Sequence, residues 1–196
     1  MRDEKRQKRH EEIAAAAYAL LDSHGYSGTT MLRVAQRAKA SNETLYRWYG
    51  DKDGLFLAMV RDNAAAIRDQ LERALASDAP PLEALSQLGP VFLRMLLGER
   101  AILLNRAAAA DPSGQLGAAI SSGGRGEIQP LLARVMAGLC RDTGHDPAQA
   151  VEEYLGLLIG DQQIRRVIGE VPVPSEAEIA RRSSHALTAL VRLIGG

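Results

Sequence analysis

The side chains with the densest chemistry lie between Thr29 and Lys52, in the run TTMLRVAQRAKASNETLYRWYGDK. Within it, Leu45 and Tyr49 are four residues apart and share one face of a short helix, which leaves Asn42, Glu43, Thr44, Tyr46, Arg47 and Trp48 on the outer surface. Amide, hydroxyl and guanidinium groups in such an array hydrogen-bond base edges, phosphate oxygens or both. Asn42 and Thr44, nearest the start of the helix, suit base edges, and Arg47 suits a guanine or a phosphate. Thr30, at the positive end of the preceding helix, and Arg33 suit the sugar-phosphate backbone; Arg33 and Arg37 read equally as plain solvated residues. Trp48 and Tyr49 favour packing between helices over base stacking, because a duplex reader seldom needs an aromatic platform.

Presenting these groups takes two short helices at a fixed angle. Thr29 and Thr30 offer N-caps for one, running to about Ala38 with Leu32 or Val34 and Ala35 turned inward, and Ser41 caps the other, running to about Tyr49. A turn of about four residues joins them, the anatomy of a helix-turn-helix. Ala35 is small where the two must cross. Upstream, Ile13, Ala17, Leu20 and Leu21 recur at helical spacing over about residues 8–23, and Gly25 ends that helix. Downstream, Asp51 caps a fourth helix that continues through Leu55, Met59, Ile67 and Leu71 to about Ser77, where Ala79-Pro80-Pro81 stops it. Further amphipathic stretches lie near 81–97, 99–110, 127–142, 147–169 and 175–194, and no run of alternating β-branched residues interrupts them. The fold class is therefore all-α. Residues 111–126 contain five glycines, each weakening a helix by up to ~1 kcal/mol, so at most a poor, mobile helix is expected there.

The chain has 196 residues and no net charge, but its charge is uneven: residues 1–60 carry ten Lys and Arg against eight Asp and Glu, and the rest fourteen against sixteen. Arg2, Lys5, Arg6, Lys8 and Arg9 crowd the N-terminus, which reads either as a solvated, disordered end or as an arm along the duplex or into its minor groove. The lone Cys140 excludes an internal disulfide and a cysteine-built zinc site, and reads as a buried apolar residue. His10, His24, His145 and His185 are scattered, and no phosphate-cradling glycine loop follows a strand, so neither catalysis nor a metal or cofactor is expected. No stretch approaches the ~20 apolar residues of a membrane span and no signal peptide is visible, so a cytoplasmic protein is expected.

Thr29, Thr30, Ala35, Ala38, Ser41, Thr44, Leu45, Tyr46, Tyr49, Lys52 and Leu55 fit, at fixed spacing and with a tyrosine in the phenylalanine place, the pattern T-T-x-x-x-I-A-x-x-A-G-V-S-x-x-T-L-Y-x-Y-F-x-x-K-x-x-L. On these residues the chain resembles the TetR family of bacterial repressors, and YLGLLIGDQQIRRVIGEVPVPSEAEI resembles the late helices of its AcrR-like members. The resemblance implies a three-helix DNA-binding domain over residues 1–54 and a helical ligand-binding and dimerisation domain over 55–196. It implies a homodimeric repressor that holds a double-stranded DNA operator and is released by a small-molecule inducer. Tyr46 and Lys52 would bond phosphates. Two residues bear on how the resemblance carries over. Lys39 replaces the turn glycine, with strain of order 1 kcal/mol if the backbone stays left-handed, and offers a phosphate contact in exchange. Glu43 is acidic on the DNA-facing surface, where it either accepts from a cytosine amino group or favours the positive end of its helix.

A single reading helix covers too few base pairs for an operator, so two copies are expected. Leu131, Val135 and Leu139 on one late stretch, and Val151, Leu155, Leu158 and Ile159 on the next, are candidates for the dimer interface, or for ordinary core. Gly156 and Gly160 would let helices approach there. Met59, Phe92, Met95, Leu96 and Leu103, with Asn105 or Arg106 as a polar handle, are candidates for the wall of a ligand pocket, or equally for dry core.

Overall fold

Ile13, Ala17, Leu20 and Leu21 are each at most 6% exposed, so the stripe expected on the first helix is the stripe that packs. That helix, α1 (Arg2–Gly28), starts earlier than its apolar spacing suggested and is kinked at Gly25, where φ is 64°. The protein is described by a computed structural model covering residues 2–77 and 79–195; the side chains of Arg2 and Asp3 lie outside the described residues. After α1 come α2 (Met31–Arg37), α3 (Asn42–Tyr49), α4 (Lys52–Ala76), α5 (Pro81–Leu97), α6 (Glu99–Ala109), α7 (Gln115–Ile120), a π-helical turn (Ser121–Arg125), α8 (Gly126–Leu139), α9 (Pro147–Ile159), α10 (Gln162–Val167) and α11 (Glu176–Leu193). Among the described residues no strand occurs and no helix is long and apolar enough to cross a membrane.

Two apolar clusters organise these helices. One joins α1, α2 and α3 to the first half of α4 and to Leu104, Ala107 and Leu116. The other joins the second half of α4 to α5, α8, α9 and α11. A single helix therefore belongs to both cores: Leu55, Phe56, Met59 and Val60 are buried in the first, Ala64, Ile67 and Leu71 in the second.

The glycine-rich stretch is more ordered than its composition predicts. Asp111 opens it, its Oδ2 accepting the Leu116 amide at 2.9 Å and its Oδ1 the Ser113 amide at 3.0 Å. Those backbone bonds, the Leu116 amide foremost, hold the carboxyl below the usual carboxylate range. Leu116 is then buried in the first cluster, and the π turn leads without a gap into α8. At Gly123 a Cβ would lie 2.7 Å from Leu57 Cδ1, the movable end of that side chain, so the turn sits close against α4. Tertiary contact overrides the poor helix propensity of the segment. The stretch expected as one helix over 147–169 is two, because Gly160 adopts φ 52° and ends α9. Arg182 occupies the side where a Cβ would sit and caps the helix, donating to the Leu158 carbonyl at 2.5 Å and the Ile159 carbonyl at 2.9 Å.

Candidate nucleic-acid interface

Helix α3 begins at Ser41, whose Oγ accepts the Thr44 amide at 3.1 Å and lies 2.8 Å from the Thr44 hydroxyl. Ser41 and Thr44 thus spend part of their hydrogen-bonding capacity on the cap. Leu45 is the one buried side chain of the helix, with no exposed surface. Around it Asn42, Glu43, Tyr46 and Arg47 stand exposed, as the sequence spacing predicts. Glu43 lies in the first turn, where the helix macrodipole favours a carboxylate. Thr30 caps α2 by accepting the Arg33 amide at 3.3 Å, and the Arg33 guanidinium donates to the Gly28 carbonyl at 2.8 Å. Val34 and Ala35 turn inward; Leu32, the alternative, is 55% exposed.

The turn between α2 and α3 keeps the left-handed residue that glycine would supply. Lys39, at φ 52°, is the only non-glycine with positive φ among the described residues. Its conformation is secured from a distance: the Arg9 guanidinium donates to the carbonyls of Ala38, at 3.0 Å, and Lys39, at 2.5 Å, while pairing with Glu12 at 2.6 Å. Arg9 is therefore neither a disordered end nor a free arm. It belongs to α1 and closes the C-terminal end of α2, a role that sequence reasoning missed because the partners lie about thirty residues away. Replacing Lys39 with glycine removes the Cβ penalty, partly offset by the greater unfolded-state freedom of glycine. The expected gain is about 0.5–1 kcal/mol, read as a small rise in Tm. An unchanged or lower Tm would show that the strain at Lys39 does not exceed the unfolded-state cost of glycine.

A second contact set joins α1, α3 and α4. His10 Nδ1 lies 2.6 Å from the Tyr49 hydroxyl, and its Nε2 donates to the Asp62 carboxylate. The bond to Asp62, working against burial, raises the imidazole above its ordinary value, and burial pushes the Tyr49 hydroxyl up to about 12. Trp48 is half-buried against the first cluster, edge-on to Tyr49, with the Arg6 guanidinium 5.5 Å from its ring centre. Trp48, a candidate for DNA contact as well as for packing, thus has packing partners within the chain and keeps part of its surface open. Lys52 Nζ lies 3.9 Å from the centre of the Tyr26 ring and donates to the Tyr26 carbonyl at 3.3 Å, while the Tyr26 hydroxyl donates to Asp53. The ammonium is held at the α1–α4 junction and keeps two further N–H donors.

A cavity of about 480 Å³ opens between α4, α5, α6, the π turn, α8 and α9. Of the residues expected at a pocket, Phe92, Met95, Leu96 and Asn105 line it. Met59 and Leu103 do not: both pack in the first cluster, Met59 2% exposed. Arg106 is also elsewhere, donating to the carbonyls of Val167 at 2.7 Å and Arg166 at 3.2 Å. Leu155 and Ile159, expected at a dimer interface, line the cavity instead. Val135, Val151 and Leu158 are at most 5% exposed and belong to the chain's own second core, so they are not an outer face. Leu131 and Leu139 pack against that core and keep part of their surface open. At Gly156 a Cβ would meet nothing, so no helix of the same chain approaches there.

Comparison with known proteins agrees with this geometry. Residues 13–59, which hold α2, the turn and α3, match the family described as bacterial regulatory proteins, tetR family. The transcriptional regulator BetI of Burkholderia thailandensis is 40% identical over 80 residues, which cover 38% of this chain and 40% of BetI. HbdR of Aromatoleum sp. (strain CIB), also an HTH-type transcriptional regulator, is 29% identical over 79 residues, covering 40% of this chain and 34% of HbdR. The chain thus matches these relatives over less than half their length. The crystal structure of a TetR-family protein from Mesorhizobium loti MAFF303099 superposes along 95% of this chain and 96% of its own, with a TM-score of 0.76 at 28% identity. Motif, domain match and superposition along nearly the whole chain converge: residues 13–59 carry the sequence of the tetR family of bacterial regulatory proteins, and the chain as a whole has the fold of a TetR-family protein.

Proposed function

We propose that this protein is a DNA-binding transcriptional regulator that acts as a repressor, holding a palindromic operator as a homodimer and letting go when a small molecule binds. One observation carries the reading. A capped eight-residue helix is fixed by a single buried leucine and turns Asn42, Tyr46 and Arg47 to solvent, the arrangement a major groove accepts. In this reading Asn42, Thr44 and Arg47 touch base edges. Thr30, Arg33, Lys39, Ser41, Tyr46 and Lys52 touch phosphates, which position the protein without specifying sequence. Two copies place their reading helices about 34–36 Å apart, or a multiple of that. The cavity borders α4 at Val60, Asn63 and Ala64, so a ligand inside it acts on the helix that carries α3 at its other end.

The test is a titration of palindromic fragments from the DNA flanking the coding sequence, followed by fluorescence anisotropy over a range of salt. Affinity should fall steeply with salt. Tyr46→Ala and Lys52→Ala should each weaken binding to all sequences alike, by about fivefold, whereas Asn42→Ala should change which base is preferred at one position of each half-site. If the first two substitutions leave affinity untouched, α3 is not the contact surface. Sedimentation of the free protein as a monomer at micromolar concentration would remove the dimer from the reading.

A further inference from the structure

The cavity is one-sided in its charge. No aspartate or glutamate borders it; its polar lining is four carboxamides (Asn63, Asn105, Gln129 and Gln163), the Ser121 hydroxyl and the Arg125 guanidinium, set among apolar side chains. Arg125 lies on the π turn and is exposed, which places it at the mouth. Its neighbours are differently placed: Arg61 and Arg68 of α4 both pair with Glu127, each at 2.7 Å. Among the described residues Arg125 forms no ion pair, and Glu127, two residues along the chain, is engaged by those two other arginines. Two of the carboxamides are also oriented. Asn105 Nδ2 donates to the Ala101 carbonyl at 2.8 Å and Gln163 Nε2 to the Leu96 carbonyl at 3.1 Å, leaving each amide oxygen as an acceptor.

A cation entering this space finds no counter-charge and meets a guanidinium, an unfavourable encounter where apolar walls lower the local dielectric. A carboxylate at the mouth meets the Arg125 guanidinium, whose planar fork of donors offers it charge-assisted, bidentate hydrogen bonds. The volume lies within the ~300–1,000 Å³ typical of small-molecule sites. Resting on the sensor reading above, we infer that the cavity takes a largely apolar organic acid and discriminates against organic cations. The carboxylate sits on Arg125 and the hydrocarbon among Phe92, Met95, Leu96 and Ile120; hydroxyl groups on the ligand donate to Asn105 and Gln163.

The experiment uses the full chain and three probes with the same saturated chain of about ten carbons: decanoate, 1-decanol and decyltrimethylammonium, titrated by calorimetry. Decanoate should bind about tenfold more tightly than 1-decanol, with the ammonium the weakest. Arg125→Gln, a change at an exposed position checked by circular dichroism, should bring decanoate down to the affinity of 1-decanol and leave 1-decanol unchanged. Ala108→Trp, which fills the cavity, should weaken acid and alcohol together. Ammonium binding as tight as the acid, an acid preference that survives Arg125→Gln, binding that survives Ala108→Trp, or no binding of any probe up to about 1 mM would each overturn the inference. Operator release is scored separately. Arg125-dependent acid binding that leaves operator affinity unchanged upholds the ligand class and removes the sensor reading; release by the cation but not the acid does the reverse.

Discussion

Leu45→Ala is expected to cost about 2–5 kcal/mol of unfolding free energy, the usual range for emptying a fully buried leucine site. It should also abolish specific operator binding, although Leu45 faces away from every side chain proposed to meet DNA. The reason is its solitude: it is the only buried residue of α3, with no exposed surface, in the cluster that holds Ile13, Val34, Ala35 and Leu55. An eight-residue helix has little stability of its own and depends on tertiary packing. Urea denaturation measures the loss, and anisotropy with the operator fragment measures the consequence. Leu45→Met, which conserves volume, should cost under about 1.5 kcal/mol and keep binding, separating packing from fold failure. A loss below about 1 kcal/mol for Leu45→Ala would mean that α3 is anchored elsewhere.

His10 should make both stability and operator affinity depend on pH. Neutral, its ring donates from Nε2 to Asp62 and accepts the Tyr49 hydroxyl at Nδ1; protonated, it donates from both nitrogens and gains a charge pair with Asp62. The hydrogen bond to Asp62 raises its folded-state value above 6.5. A raised value means that the folded state holds the proton more tightly than the unfolded chain. The added stability is therefore complete below about pH 6.5 and is lost as pH climbs through the raised folded value. Between about pH 6 and about pH 9 the wild-type Tm and operator affinity should decline more steeply than those of His10→Ala. At pH 6 the substitution should cost about 1–2 kcal/mol, since it removes a hydrogen bond to a charged group at a half-buried site. Parallel pH profiles for the two proteins would show that the contact does no energetic work. Arg6 and Glu11 also act on the ring, in opposite directions, so neither alone imitates the effect.

What could be read in advance was local. Thr30, Ser41 and Asp51 cap the helices they were expected to cap, because a cap is decided within four residues of chain. The left-handed turn at Lys39 was likewise legible from the missing glycine. What could not be read was non-local. Arg9 closing the turn and His10 bridging to Asp62 join residues 29 to 52 positions apart, and no helical period signals such a pairing. The apolar stripes fell between. Met59 and Phe92 look alike in sequence and both are buried in a core, yet only Phe92 also borders the cavity, and that choice depends on how neighbouring helices cross. Gly123 belongs with them: its cost to a helix is intrinsic, while its burial against α4 is decided by tertiary packing.

The 25 residues of α4 bury one face twice, first at Phe56 and Val60, then at Ala64, Ile67 and Leu71. Each residue advances a helix by about 100°, so one added or deleted residue between Val60 and Ala64 would turn the second set away from its core by more than a quarter revolution. The two halves of the molecule are thereby locked in phase. Their relation can change by tilting the shared axis but not by independent rotation, and substitutions along α4 are accepted far more readily than changes of length.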